Sequence, residues 1–371
     1  MVWRHKLQNQ TVKRLVLLGG GHAHVHCIAA IGTVPVQGLQ ATLISPFARQ
    51  VYSGMLPGWI AGHYGIDGCV VPLPPLAQKA GITFLQTAAT LVDPLRRIVH
   101  CANGAQIPYD ILSLDTGPVA DLSHLPGAAQ HALAVRPIEQ FIDGWEQGRA
   151  RLMAGARIIM VGAGAAGVEL ALSMQHAFET AAVKLDFTIV SAADTLPGNV
   201  GKRLFRILRE RGIRLLGNTM VQRIEAGKVI LPRGTLEADL IIVCTGAASA
   251  EWPRASGIRT DERGFILVND KMQSLSHAEI FAAGDCASMS GFPRPKSGVF
   301  AVRAGPPLEQ NLRHALAGEP LQTYVPQERS LYLISSGDRY AVGSWGGLSW
   351  EGAWAWRWKD RIDRKFVARY R

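Results

Sequence analysis

Gly19-Gly20-Gly21-His22-Ala23-His24 and Gly162-Ala163-Gly164-Ala165-Ala166-Gly167 are two copies of one glycine-rich turn. Each follows an apolar run, Leu15 to Leu18 in the first copy and Ile158 to Val161 in the second. Each opens a helix-like stretch, His22 to about Ile31 and Ala165 to about Phe178. Such a turn is unremarkable alone, but between a buried strand and a helix it is built to hold a pyrophosphate. The first glycine permits the tight turn, the second lets backbone approach the phosphates, and these then sit on the helix N-terminus. Two copies in one chain point to two dinucleotides, with electrons passing between them.

The repeat extends beyond the turns. Asp110-Ile-Leu-Ser-Leu-Asp115-Thr116-Gly117 is echoed by Asp239-Leu-Ile-Ile-Val-Cys244-Thr245-Gly246, with the same spacing from acid to glycine. Before each lies a strand-rich stretch, Ile98–Ile107 and Val229–Leu236, suited to a small antiparallel crossover. A Thr-Gly at the carboxyl end of a strand lets backbone pass close to a nucleotide, because ligands of open parallel sheets lie outside those ends. This assigns nucleotide-facing positions to Thr116, Gly117 and Gly246. The expected fold class is α/β, with two Rossmann-like dinucleotide-binding domains and a small C-terminal appendage.

Composition agrees. The chain has 371 residues, 48% of them apolar, and 39 glycines, enough for two core-forming domains. Histidines or Glu169 interrupt the most apolar stretches, so none reads as a membrane span. Met1–Arg14 has charge but no apolar centre and is not a secretory signal. Five cysteines lie in no CxxC or CxxxxC pairing, which makes the cytoplasm the default compartment. A net charge of +10 is compatible with nucleic acid, an anionic membrane or anionic cofactors. No zinc-finger or RNA-binding signature accompanies it, and nucleic acid is not expected as a partner.

After the second half comes Ile280-Phe281-Ala282-Ala283-Gly284-Asp285-Cys286, a short strand ending in Gly-Asp. The order of glycine turn, Thr-Gly, glycine turn, Thr-Gly and Gly-Asp resembles that of the FAD-dependent pyridine nucleotide oxidoreductases, over nearly the whole chain. The segments Gly19–His26, Tyr52–Gly58, Gly298–Arg303 and Trp356–Arg364 are similar to one branch. That branch comprises the NADH dehydrogenase-like flavoproteins found alone or fused ahead of selenophosphate synthetase. Type II NADH dehydrogenases and sulfide:quinone oxidoreductases are their relatives. The resemblance implies a discontinuous FAD domain, 1–118 and 277–320, around an NAD(P) domain at 119–276, with a tail at 321–371.

It also implies roles. FAD pyrophosphate falls to Gly19, Gly21, His22 and the amides of Ala23 and His24. Gly284 and Asp285 fall at the ribityl chain, where a carboxylate accepts from two hydroxyls. Tyr52 and Ser53 approach the flavin, and Ala89 meets adenine through its backbone. Lys296 and the amides of Gly298 and Val299 face the N1–C2 edge, where a cation and a helix N-terminus stabilise reduced flavin. Gly162, Gly164 and Gly167 take NADH or NADPH. Glu169, a charge in an otherwise apolar helix, lies near the nicotinamide; burial of such a group is costly unless it is paired or faces a cleft. Lys296 and Glu169 are the two candidate catalytic residues.

Some residues depart from the pattern. His24 stands where the third glycine of the first turn belongs, so strand and helix should pack less closely there unless the ring points outward. Ser45 and Ser191 end the second strands, where Asp or Glu usually grips a ribose, which leaves NADH against NADPH open. His22 and His26 share a helix face from which His24 turns away, without a nearby carboxylate, and no metal is expected.

In the tail, Trp354, Trp358, Ile362 and Phe366 (or Lys365) follow helical spacing. Lys359, Arg361, Arg364, Arg369 and Arg371 surround them. This face suits either an anionic membrane at the inner surface, giving access to quinone, or packing over the FAD domain or in a homodimer. The leading functional expectation is hydride transfer from NAD(P)H to FAD, then to a quinone or other small acceptor, without a redox-active disulfide. The alternatives are a redox partner in selenium or sulfur metabolism and a flavin-binding protein whose NAD(P) site has decayed.

Overall fold

Leu15, Val16, Leu17 and Leu18 are all buried because the strand that carries them, Lys13–Leu18, lies at the centre of a parallel sheet covered on both faces. The computed structural model describes residues 12–193 and 198–371. Most of the stretch read as lacking a secretory signal therefore lies outside the described residues. The sheet is five-stranded, in the order Ile280–Ala282, Ile111–Leu114, Lys13–Leu18, Leu39–Ser45, Thr83–Gln86. Every pairing in it is parallel.

A second five-stranded parallel sheet repeats the plan in the order Leu133–Ala134, Leu240–Val243, Arg157–Val161, Asp186–Val190, Arg214–Leu216. The repeated acids have one job in both halves. Asp110 accepts from the backbone N–H of Arg14 at 2.7 Å, and Asp239 from that of Arg157 at 2.7 Å. Each thereby ties the entry of the strand that leads to Thr-Gly to the start of the strand that precedes the glycine turn. The expected crossovers are three-stranded antiparallel meanders, Ala89–Asp93 with Ile98–Cys101 and Gln106–Pro108, and Arg223–Glu225 with Lys228–Leu231 and Gly234–Glu237.

The two units join where Val119–Ala120 pairs antiparallel with Ala247–Ala248, so the chain leaves and re-enters the first unit side by side. Ile258, Ile266 and Val268 share a core with Val16, Leu18 and Val99. The chain is thus back in the first unit well before residue 277, because these apolar side chains cover the meander face of the first sheet.

The tail forms a three-stranded antiparallel sheet, Leu331–Ser335, Ala341–Trp345 and Leu348–Gly352, followed by the helix Ala353–Arg369. Ile334 and Val342 pack into the core of the second unit, while Phe366 and Tyr370 reach the core of the first. The tail bridges both units. Among the described residues no helix is long and apolar enough to cross a membrane.

Phe281 is fully buried on the edge strand of the first sheet. Replacing it with Ala should cost about 3–5 kcal/mol from lost burial and the cavity left behind. A urea midpoint close to that of the parent protein would contradict this packing.

Candidate functional site

The first glycine turn closes around a carboxylate. Asp115 is 2% exposed and ends the strand Ile111–Leu114 beside the turn. Its Oδ2 accepts from the backbone N–H groups of Ala23 at 2.8 Å and His24 at 3.0 Å, and its carbonyl accepts from Gly21 N–H at 3.0 Å. Gly21 supplies no side-chain cap to the helix His22–Thr33, so Asp115 caps it from another strand. A Cβ on Gly21 or on Gly284 would overlap the Asp115 carboxylate, and one on Gly19, at φ +96°, would overlap its backbone. The Ala23 and His24 amides, expected at the FAD pyrophosphate, are both held by a protein carboxylate. Desolvation by burial pushes the Asp115 carboxyl up to about 7, against the pull of the two amides.

His24 also has a protein partner at each ring nitrogen. Its ring points inward, fully buried, with Nδ1 2.6 Å from the Gly19 carbonyl and Nε2 2.8 Å from Ser113 Oγ. A carbonyl can only accept, so Nδ1 carries the proton and Nε2 accepts from the serine hydroxyl. Burial lowers its pKa to about 4 and keeps the ring neutral. The room for it comes from Ser113, a small polar residue in a strand of otherwise apolar neighbours. The other two histidines diverge: His22 Nε2 lies 3.2 Å from Gln50 Nε2, and His26 Nδ1 lies 3.2 Å from the Tyr370 hydroxyl.

Around the turn, several expected residues do converge. The His22 ring stands 5.5 Å from Tyr52, and Ser53 lies against Gly298, the first residue of the helix Gly298–Ala317 that continues into Val299. Gly117, at φ +71°, has open space where a Cβ would be. Asp285 Oδ2 accepts from Arg136 Nη1 at 3.3 Å, a partner that lies far away in the sequence. Burial raises the Asp285 carboxyl, while Arg136 and Lys296 pull it down. Lys296 donates to the Ala287 carbonyl and stands 4.1 Å from the centre of the Phe265 ring, so protein groups already hold its cation. Ser45 differs from its assignment: its hydroxyl donates to the Phe47 carbonyl at 2.9 Å and accepts from Phe47 N–H at 3.2 Å, closing a local turn. Ala89 opens the meander, opposite Cys101.

The second turn has no such plug. Cys244 stands where Asp115 does, and a Cβ on Gly164 or Gly246 would meet nothing within 4 Å. Gly162, at φ +114°, and Gly167 pack against the Cys244 and Gly162 carbonyls with no room for a side chain. Open glycines over a tightly packed turn fit a bound pyrophosphate. Ser191 Oγ accepts from Ala193 N–H at 3.3 Å, another local turn.

From the second-turn helix, Glu169 reaches the tail. Its Oε1 accepts from Ser335 N–H at 2.7 Å and lies 4.0 Å from Lys359 Nζ. Burial pushes the Glu169 carboxyl up to about 7, with Lys359 and the Ser335 amide acting against it. Lys359 Nζ donates to Asp363 Oδ2 at 2.8 Å and to the Gly54 carbonyl at 2.5 Å. Phe366 stacks on Tyr52 with ring centres 4.3 Å apart. Lys359, expected among the exposed bases, is thus buried, and Phe366 leaves the outer face for the Tyr52–Ser53 loop. The inner face of the helix is Ala355, Trp356, Lys359, Asp363 and Val367. Trp354, Trp358 and Ile362 stay on the outer face, 50%, 41% and 40% exposed.

Sequence reasoning missed Asp115, Arg136, Lys359 and Asp363 as parts of the site. Asp115 stands in the repeated Thr-Gly motif, and its contrast with Cys244 was the available signal. The i, i+4 pair Lys359 and Asp363 was visible, but nothing local said that it faces inward.

The chain matches the pyridine nucleotide-disulphide oxidoreductase family over residues 13–305. It is 27% identical to ferroptosis suppressor protein 1 of Xenopus laevis, over 90% of this chain and 89% of that one; in the Xenopus tropicalis counterpart the match spans 59% of the protein. It is 24% identical to NADH dehydrogenase-like protein YutJ of Bacillus subtilis (strain 168), over 85% and 87% of the two chains. Among solved structures, the sulfide:quinone oxidoreductase of Aquifex aeolicus superposes with a TM-score of 0.81 at 21% identity, covering 97% of this chain and 91% of that one. With its paired parallel sheets and glycine turns, the chain belongs to the pyridine nucleotide-disulphide oxidoreductase family, whose enzymes bind FAD and NADH or NADPH.

Proposed function

We propose that this chain oxidises NADH or NADPH bound at the second glycine turn and reduces a quinone, with FAD at the first turn between them. Bound FAD supplies the electron chemistry; the chain binds, orients and handles protons. The observation that carries the reading is the cluster of the largely buried Glu169 with the buried Lys359 and Asp363. It joins the helix of the second turn to the Tyr52–Ser53–Gly54 loop of the first unit.

Quinone reduction consumes protons, and a carboxyl raised to about 7 by burial can take up and release one near neutral pH. Lys359 beside it limits that rise and can stabilise negative charge developing nearby. The five cysteines are all free, which suits direct electron transfer without a redox-active disulfide. Relatives named as an NADH dehydrogenase-like protein and a sulfide:quinone oxidoreductase support the same reading.

The tail supports a membrane-surface site for the acceptor. Trp345, Leu348, Trp354, Trp358 and Ile362 are exposed in one segment, with Arg357 and Arg361 among them. Aromatic and aliphatic groups flanked by arginines suit the interface of an anionic bilayer. The inner Lys359 face of the same helix then lies against the flavin loop, which gives a lipid-borne quinone a short route.

Anaerobic titration of the purified flavoprotein with NADH or NADPH should bleach the flavin, and a ubiquinone or menaquinone analogue should restore its colour. No bleaching by either nucleotide defeats the reading.

Glu169→Gln should lower quinone reduction by about 10- to 100-fold. Parent turnover should decline as pH rises through about 7, where Glu169 loses its proton, and the Gln variant should lack that decline. A variant that keeps both rate and profile removes Glu169 from the reaction.

Trp354→Glu with Trp358→Glu should abolish co-sedimentation with anionic vesicles while leaving flavin content intact. Undiminished sedimentation of the variant would exclude this face as the membrane contact.

A further inference from the structure

Asp115 presents a problem for any anion at the first turn. Its carboxylate holds the Ala23 and His24 amides from within the cradle formed by Gly19, Gly21 and Gly284. A diphosphate brought to this helix N-terminus adds negative charge beside a buried carboxyl. Like charges at close range in a dry site cannot both persist cheaply, and the weaker acid takes a proton.

The surroundings offer no cation to relieve this. Among the described residues Asp115 forms no ion pair; the charged group bearing on it is Asp285, which raises it further. The His24 ring is neutral, with its pKa lowered to about 4. The Cys27 and Cys286 thiols are raised by burial and stay protonated. Arg136 and Lys296 act on Asp285, not on Asp115. The fold itself does not demand an acid here, since the second turn is built with Cys244 at the same position.

We infer that Asp115 is a positioning residue of the FAD site whose carboxyl takes up a proton when FAD binds, so that FAD affinity falls as pH rises. This rests on the reading that the first turn holds FAD. The carboxyl of the flavin-free protein, already raised to about 7 by burial, empties above neutral pH. The diphosphate raises it again, so the complex keeps the proton to higher pH than the free protein does. Between those two limits, binding costs one proton from solution.

Full-length protein stripped of flavin is titrated with FAD from pH 6 to 9 by flavin fluorescence. Calorimetry in buffers of differing ionisation heat accompanies it. Kd should weaken by roughly tenfold per pH unit above neutrality, with uptake of about one proton near pH 8. Asp115→Asn keeps an acceptor for the amides without the charge, and its Kd should be flat over the same range. A flat Kd or no proton uptake in the parent protein overturns the inference, as does a slope that survives in the Asn variant. If that variant fails to fold, the parent's proton uptake decides alone. A parent protein that binds no FAD at any pH overturns instead the assignment of the first turn.

Discussion

The Asp115 carboxylate is the constraint around which the first nucleotide turn is arranged. It satisfies two helix amides that a glycine N-cap cannot. It also fills the space that Gly21 and Gly284 leave by lacking a side chain. Three segments distant in the chain meet at one group: the turn after the first strand, the end of the fourth, and the Gly-Asp that follows the edge strand. His24 completes the arrangement from behind, spanning the Gly19 carbonyl and Ser113. In a buried site each of these polar atoms must be paired, because an unpaired one costs on the order of 1–3 kcal/mol. Loss of any member therefore leaves another exposed to that cost.

The duplicated halves diverge at this point. Both use an acid to pin the first strand and both pass a Thr-Gly beside the turn. Cys244 in place of Asp115 and Gly167 in place of His24 leave the second turn with packed backbone below and open glycines above. The first turn is plugged and internally satisfied; the second is open.

A second buried charge cluster links the halves. Lys359 and Asp363 are costly to bury unless each pairs with the other, and they do so at 2.8 Å while Lys359 also serves the Gly54 carbonyl. Because Glu169 comes from the second unit and Gly54 from the first, the tail helix fixes the two units across the region between the turns. The same helix turns Trp354 and Trp358 outward, so its two faces differ in kind.

Local sequence alone determined the two sheets, their order of elements and the place of each turn. Strand–glycine–helix patterns are short-range and depend on steric demands that few residues can meet. The convergence of Tyr52, Ser53 and Gly298 followed from resemblance in the same way. Contacts between distant segments required the tertiary structure. Asp115 reads as a strand-end acid until the turn folds over it, and His24 reads as a misfit until Ser113 is seen to receive it. Lys359 reads as one more surface base until the helix is docked. Ser45 reads as a ribose ligand until its hydroxyl closes on Phe47. In each case the partner lies in a direction that periodicity does not encode, and burial, which sets both the pairing and the protonation, exists only in the assembled fold.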